Sequence, residues 1–149
     1  MYQIRPVADG DFAEWRQLFS EYCAFYGFDC NDDKLTTVWQ WLFDDQHVLN
    51  GVVAEDGSGT VVGLLHFQTM PMSLFGADTG YLADLYVSPD HRRNGVARLL
   101  HEAFVATGKE KGWTFGAWLT QEGNNSARAM YDQSADLTDL RYYVQGFAE

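Results

Sequence analysis

Residues 81–100 read YLADLYVSPDHRRNGVARLL. The apolar run of residues 81–87 stops at Ser88-Pro89. A basic turn containing one glycine follows, Arg92-Arg93-Asn94-Gly95-Val96-Ala97, and a helical pattern begins without a break. Strand, tight turn and helix in succession aim several backbone N–H groups at one point, an arrangement that holds an anion. Gly95 would let a ligand approach the main chain closely. Neither G-x-x-x-x-G-K-[ST] nor G-x-G-x-x-G occurs, so the two commonest nucleotide loops are excluded by spelling.

The strand over residues 81–87 is almost continuously apolar, which predicts burial on both faces. Downstream, Val96, Leu99, Leu100, Ala103 and Phe104 form one helical stripe that Lys111-Gly112 closes. Residues 115–120 read as a further strand, 122–124 as a turn, 126–134 as a short helix and 140–147 as a final strand or bent pair. Upstream, residues 2–6 alternate as a first strand. Asp9 or Asp11 is expected to cap a helix carrying Phe12, Trp15, Phe19, Tyr22 and Tyr26, which Gly27 ends. A second helix is expected over residues 33–43. Residues 48–55 and 61–70 flank Asp56-Gly57-Ser58-Gly59, a strong hairpin signal. The predicted order is β-α-α-β-β-β-α-β-α-β, a mixed α/β central sheet with helices on both faces, in a single domain over residues 1–149.

A chain of 149 residues with 15% aromatics can bury a real core. Its net charge of −11 argues against nucleic acid and anionic membranes as partners. Within that acidic total, residues 92–128 hold six basic and three acidic groups, so the region that begins at the turn is locally positive. No apolar run is long enough to span a bilayer, and the N-terminus does not read as a secretory signal. The two cysteines, Cys23 and Cys30, form no framework and read as ordinary thiols. A cytoplasmic protein is expected.

R-x-x-G-x-A at Arg92 to Ala97, behind the strand D-L-Y-V-S-P, closely resembles the acetyl-CoA signature of the GCN5-related N-acetyltransferases (GNAT). The resemblance implies acetyl-CoA as co-substrate, with no metal. The pyrophosphate would rest on the main-chain N–H groups of Arg93, Asn94, Gly95, Val96 and Ala97, with Arg92 and Arg93 adding charge. A bulge in the strand matching residues 84–87 would open a sheet edge. There, backbone groups of Leu85 and Val87 would pair with the pantetheine arm and the acetyl carbonyl. A second match is N-x-x-A-x-x-M-Y, from Asn124 to Tyr131. It implies that Asn124, or Asn125 in the alternative register, contacts pantetheine. It also implies that Tyr131 protonates the departing thiolate as general acid.

The general base is not given by the motifs. Polyamine acetyltransferases carry Glu where this chain has Ala83. Asp84 alternates with Ala83 and is expected on the opposite face. Glu21, Tyr22, Tyr26 and His66 are the other candidates, with a water chain as the alternative. The family's Gly-Phe after the catalytic Tyr is absent. The implied activity is acetyl transfer by direct attack in a ternary complex, to a primary amine and preferably a small molecule. Acetylation of a protein N-terminus or lysine, a non-catalytic acyl-CoA sensor of the same fold and a plain interaction module are the alternatives. A homodimer is left open.

Overall fold

A computed structural model describes residues 1–148. Two compact units emerge, the first Met1–Leu119 and the second beginning at Thr120. In the first unit β1 (Gln3–Pro6) is followed by α1 (Phe12–Phe25) and α2 (Asp32–Leu42). Then come β2 (Asn50–Glu55), β3 (Val61–Met72), β4 (Ala77–Val87), α3 (Val96–Lys111) and β5 (Gly116–Trp118). The strands lie in the order β1-β2-β3-β4-β5. All neighbouring pairs are antiparallel except β4 and β5, which run parallel.

The sheet is covered on both faces, as its apolar strands demand. On one face Trp15, Leu18 and Phe19 of α1 and Leu35 and Val38 of α2 pack against Val53, Leu64 and Tyr86. On the other, Val96, Leu100 and Phe104 of α3 pack against Leu65, Phe67, Leu82 and Val87. The apolar stripe expected on α3 is therefore its core face. The 56–59 turn forms as read: Asp56 accepts from the N–H groups of Ser58 and Thr60, and Gly59 takes a φ of +85°.

Several expectations are corrected. Asp11 does not cap α1 with its side chain. It makes a two-pronged ion pair with Arg5 at 2.8 and 2.9 Å and accepts from the Ala8 N–H. The Arg5 guanidinium holds the Asp11 carboxyl below the usual carboxylate range. Asn31 caps α2, accepting from the Lys34 N–H at 2.9 Å, so that helix starts one residue early. β3 and β4 are longer than the apolar runs suggest. Residues 68–72 pair with β4 alone, because β2 ends opposite Phe67, and an open edge tolerates Pro71. Cys23 and Cys30 are free thiols with sulfurs 3.0 Å apart. Burial first, then Cys30, pushes the Cys23 thiol up to about 12, as befits an unreactive thiol.

The second unit holds α4 (Asn125–Tyr131). The expected final strand over residues 140–147 does not form among the described residues. Its pattern supplies an apolar alternation, but a strand exists only where a partner completes its ladder. Tyr142, Tyr143, Val144 and Phe147 are exposed. Among the described residues no helix is long and apolar enough to cross a membrane.

Candidate active site

β4 carries the feature on which the site depends. β5 pairs with it only from Gly80 to Leu82, opposite Gly116 to Trp118. Beyond Leu82 the outer edge of β4, residues 83–87, meets no strand among the described residues. Close packing fixes the paired end: a Cβ on Gly80 would lie 2.2 Å from the Trp113 ring, and one on Gly116 would lie 2.5 Å from Phe104. Both contacts require glycine.

On its inner edge β4 contains a bulge. His66 pairs with Asp84 and Phe67 with Leu82, which leaves Ala83 as the extra residue. The bulge lies just before the stretch where the resemblance placed it, and it resets the alternation. Ala83 packs on the α1 face. Asp84, directly opposite His66, also turns to that face, and its Oδ2 sits 3.0 Å from His66 Nδ1. The expectation that Asp84 points away from Ala83 is thus overturned, because strict alternation holds only in an unbulged strand.

After β4 the chain turns through Ser88, whose N–H donates to the Val62 carbonyl at 2.8 Å. Arg93 takes a φ of +64° and Gly95 one of +80°. Asn94 braces the turn from inside, its Nδ2 donating to the carbonyls of His91 and Arg92 at 3.2 and 3.1 Å. Arg92 is a brace as well. Its Nε donates to the Val87 carbonyl at 3.1 Å and its guanidinium lies 5.4 Å from the centre of the Tyr86 ring. Arg93 is exposed. Helix α3 then starts at Val96 with Gly95 as its N-cap, and no side chain caps it. A side chain at Gly95 would meet no protein atom within 4 Å. An uncapped helix N-terminus beside open space, preceded by an arginine, is a fitting seat for a phosphate group.

The remaining candidates occupy varied settings. His66 is 1% exposed and packs against the rings of Trp15 and Phe19. Its Nε2 lies 2.9 Å from Trp15 Nε1, a partner that sequence reasoning treated only as core. No sequence signal pairs a helix Trp with a strand His 51 residues away. Glu21 accepts from the Tyr86 hydroxyl at 3.2 Å. Burial first, then the neighbouring Asp84 carboxylate, pushes the Tyr22 phenol well above its ordinary value, and Tyr26 stacks edge-on against it. In the second unit Asn124 caps α4, its Oδ1 accepting from the Ala127 N–H at 3.3 Å, and Tyr131 ends the helix half-buried. Asn125 is the first residue of α4 and exposed.

Residues 15–135 match the model of the Acetyltransferase (GNAT) family. The D-amino-acid N-acetyltransferase HPA3 of Saccharomyces cerevisiae is 28% identical over 141 residues, which cover 94% of this chain and 88% of that protein. The solved ribosomal-protein-alanine N-acetyltransferase of Brucella melitensis biovar Abortus superposes with a TM-score of 0.81 at 22% identity, covering 99% of each chain. The aminoglycoside enzyme AAC(6')-Iy, solved with a bisubstrate analogue containing CoA, gives a TM-score of 0.81 at 20% identity, again over 99% of each chain. At such identities the two structures establish a shared fold.

Proposed function

The chain belongs to the GNAT acetyltransferase family, and from that premise we propose that it moves the acetyl group of acetyl-CoA to a primary amine of a small molecule. One observation carries the reading. The outer edge of β4 over residues 83–87, which meets no strand among the described residues, leads through the turn at residues 88–95 into the uncapped N-terminus of α3. Acetyl-CoA supplies an activated thioester on an arm rich in amides, ending in a pyrophosphate. The N–H groups of residues 94–97 would hold the pyrophosphate, with exposed Arg93 adding charge. Backbone groups of Leu85 and Val87 would grip the arm as an added strand. An N–H at that edge would stabilise the oxyanion that develops during attack. Arg92 and Asn94 would act by shaping the turn, since their side chains already serve it. Tyr131 is assigned the general-acid role, and Asn124 a contact to the arm, on the strength of the family motif.

The amine preference rests on two supports. HPA3 is named for D-amino acids and the aminoglycoside enzyme for an amine-bearing drug. The α1 and α2 side of the chain is also rich in carboxylates, with Glu14, Glu21, Asp29, Asp32 and Asp33.

The test is a CoA titration followed by thermal shift, since a ligand raises the melting temperature only of a state it binds. Wild-type protein should shift. Gly95→Glu should not, because a carboxylate would fill the open space beside the helix N-terminus and oppose the phosphates, with φ strain added. Equal CoA affinity in the two proteins would remove the cofactor assignment. Release of free CoA across a panel of amines, amino acids and peptides then ranks acceptors. Turnover confined to a protein N-terminus or lysine would replace the small-molecule reading, and none at all would leave a binding protein.

A further inference from the structure

The bulge at Ala83 decides which face Asp84 presents. It places the Asp84 carboxylate, 22% exposed, against His66, 1% exposed. His66 in turn meets Trp15, which is fully buried. This makes a chain of hydrogen bonds from the dry interior to the margin of the sheet, and its direction can be deduced. An indole N–H can only donate. His66 Nε2 must therefore accept from Trp15 and stay bare. The single proton of the neutral ring sits on Nδ1, where it donates to Asp84 Oδ2. A lone proton acceptor is not on offer at His66, because both of its nitrogens are committed. The carboxylate is the member of the chain that reaches outward.

Ionisable groups on two elements face Asp84. His66 approaches from β3, and Tyr22 and Cys23 from α1. The phenol and the thiol are both pushed upward, burial being the larger cause in each. Both stay protonated near neutrality and leave the carboxylate as the local base.

We infer that Asp84 takes the proton of the acceptor ammonium, and that His66 and Trp15 are positioning residues that hold the carboxylate for that transfer. The inference rests on the acetyl-transfer reading above. An N–H bond of the ammonium breaks and an O–H bond forms at Asp84. The freed lone pair attacks the thioester carbonyl carbon, the N–C bond forms and the C–S bond breaks. Of the two protons the ammonium loses on becoming an amide, one passes through Asp84 to solvent and the other to the departing sulfur.

The experiment compares full-length wild type with Asp84→Asn, His66→Asn and His66→Leu, using one amine throughout. Asp84→Asn keeps an acceptor for His66 Nδ1–H, so the fold and the CoA thermal shift should persist. Its kcat should fall roughly 10²–10⁴-fold, the range for loss of a positioned proton acceptor. His66→Leu removes the donor from the carboxylate, and a carboxylate without its donor holds a proton more tightly. The acid limb of its kcat profile should move to higher pH while KM for acetyl-CoA stays. His66→Asn, whose side-chain amide can still donate from the Nδ1 position, should restore the limb towards wild type. A purely structural His66 would change stability and leave the limb in place. An active wild type with an unimpaired Asp84→Asn would overturn the inference and leave the function intact. Should His66→Leu fail to fold, Asp84→Asn decides alone. A wild type that binds CoA and acetylates no amine would overturn the functional reading itself, and this inference with it.

Discussion

Tyr131 ends a seven-residue helix and is half-buried, so packing is the ordinary reason for an aromatic there. Its assigned role depends on the phenol hydroxyl alone, and a single atom separates the two accounts. Tyr131→Phe keeps the ring and removes the acid. The expected result is a fall in kcat of roughly 10²–10⁴-fold, with KM for acetyl-CoA nearly unchanged. Steady-state kinetics on an amine with chemistry rate-limiting would measure it, and an unchanged kcat would return Tyr131 to packing. Arg92 shows the opposite case. Its charge and place in the motif mark it for the cofactor, and in the structure its Nε donates to the Val87 carbonyl while its guanidinium lies over the Tyr86 ring. The same side chain can hold a ligand or the loop that holds the ligand, and composition does not distinguish them. Asp11 and Asn124 likewise were legible as polar residues near helix starts. Asn124 became a cap, whereas Asp11 was claimed by Arg5, a stronger charged partner.

At the scale of elements, the site depends on β5 pairing β4 over a short stretch and then parting from it. Gly80 anchors that stretch: its N–H donates to the Phe115 carbonyl at 2.9 Å, and a Cβ added there would lie 2.2 Å from the Trp113 ring. Trp113 is itself fixed, donating to Thr69 Oγ1 at 3.1 Å, so it cannot yield easily. Gly80→Ala should therefore overpack the junction at a cost of about 1–3 kcal/mol. For a chain of this size that corresponds to a fall in melting temperature of roughly 2–12 °C. Calorimetry would measure it, and an unaltered melting temperature would show that β5 can move aside freely. Most of the elements in this region were readable beforehand. The hairpin turn and both ends of α3 follow from glycine, proline and apolar period, which act over a few neighbouring residues. The bulge was not readable at its actual position. Ala83 has no property that marks it as an extra residue, and its status depends on how β3 and β4 pair across the sheet.

For the molecule as a whole, charge is the property that links sequence most directly to function. The first 91 residues hold fourteen acidic and three basic groups, while residues 92–128 are net positive. Part of the acidity is already committed: Asp32 pairs with Arg16, Glu21 accepts from Tyr86, and Glu14 accepts from the Val61 N–H. What remains acts as a screened field that draws cations over about 8–10 Å at physiological ionic strength. Added salt should therefore raise KM for a cationic acceptor modestly while kcat stays constant. Kinetics over a salt series would measure this, and a KM independent of salt would leave the acidity as a matter of solubility. The sequence by itself determined the order of the strands and helices through β5, the strand–turn–helix seat beneath the pyrophosphate expectation, and the family resemblance. All of these rest on local signals: periodicity, turn residues and a short motif. Only the tertiary structure decided which face Asp84 presents, that Trp15 fixes the tautomer of His66, and that Arg92 braces the turn. The expected last strand also stayed unformed. Each of these depends on which distant residues come into contact, and an alternating pattern carries no record of where a bulge resets it.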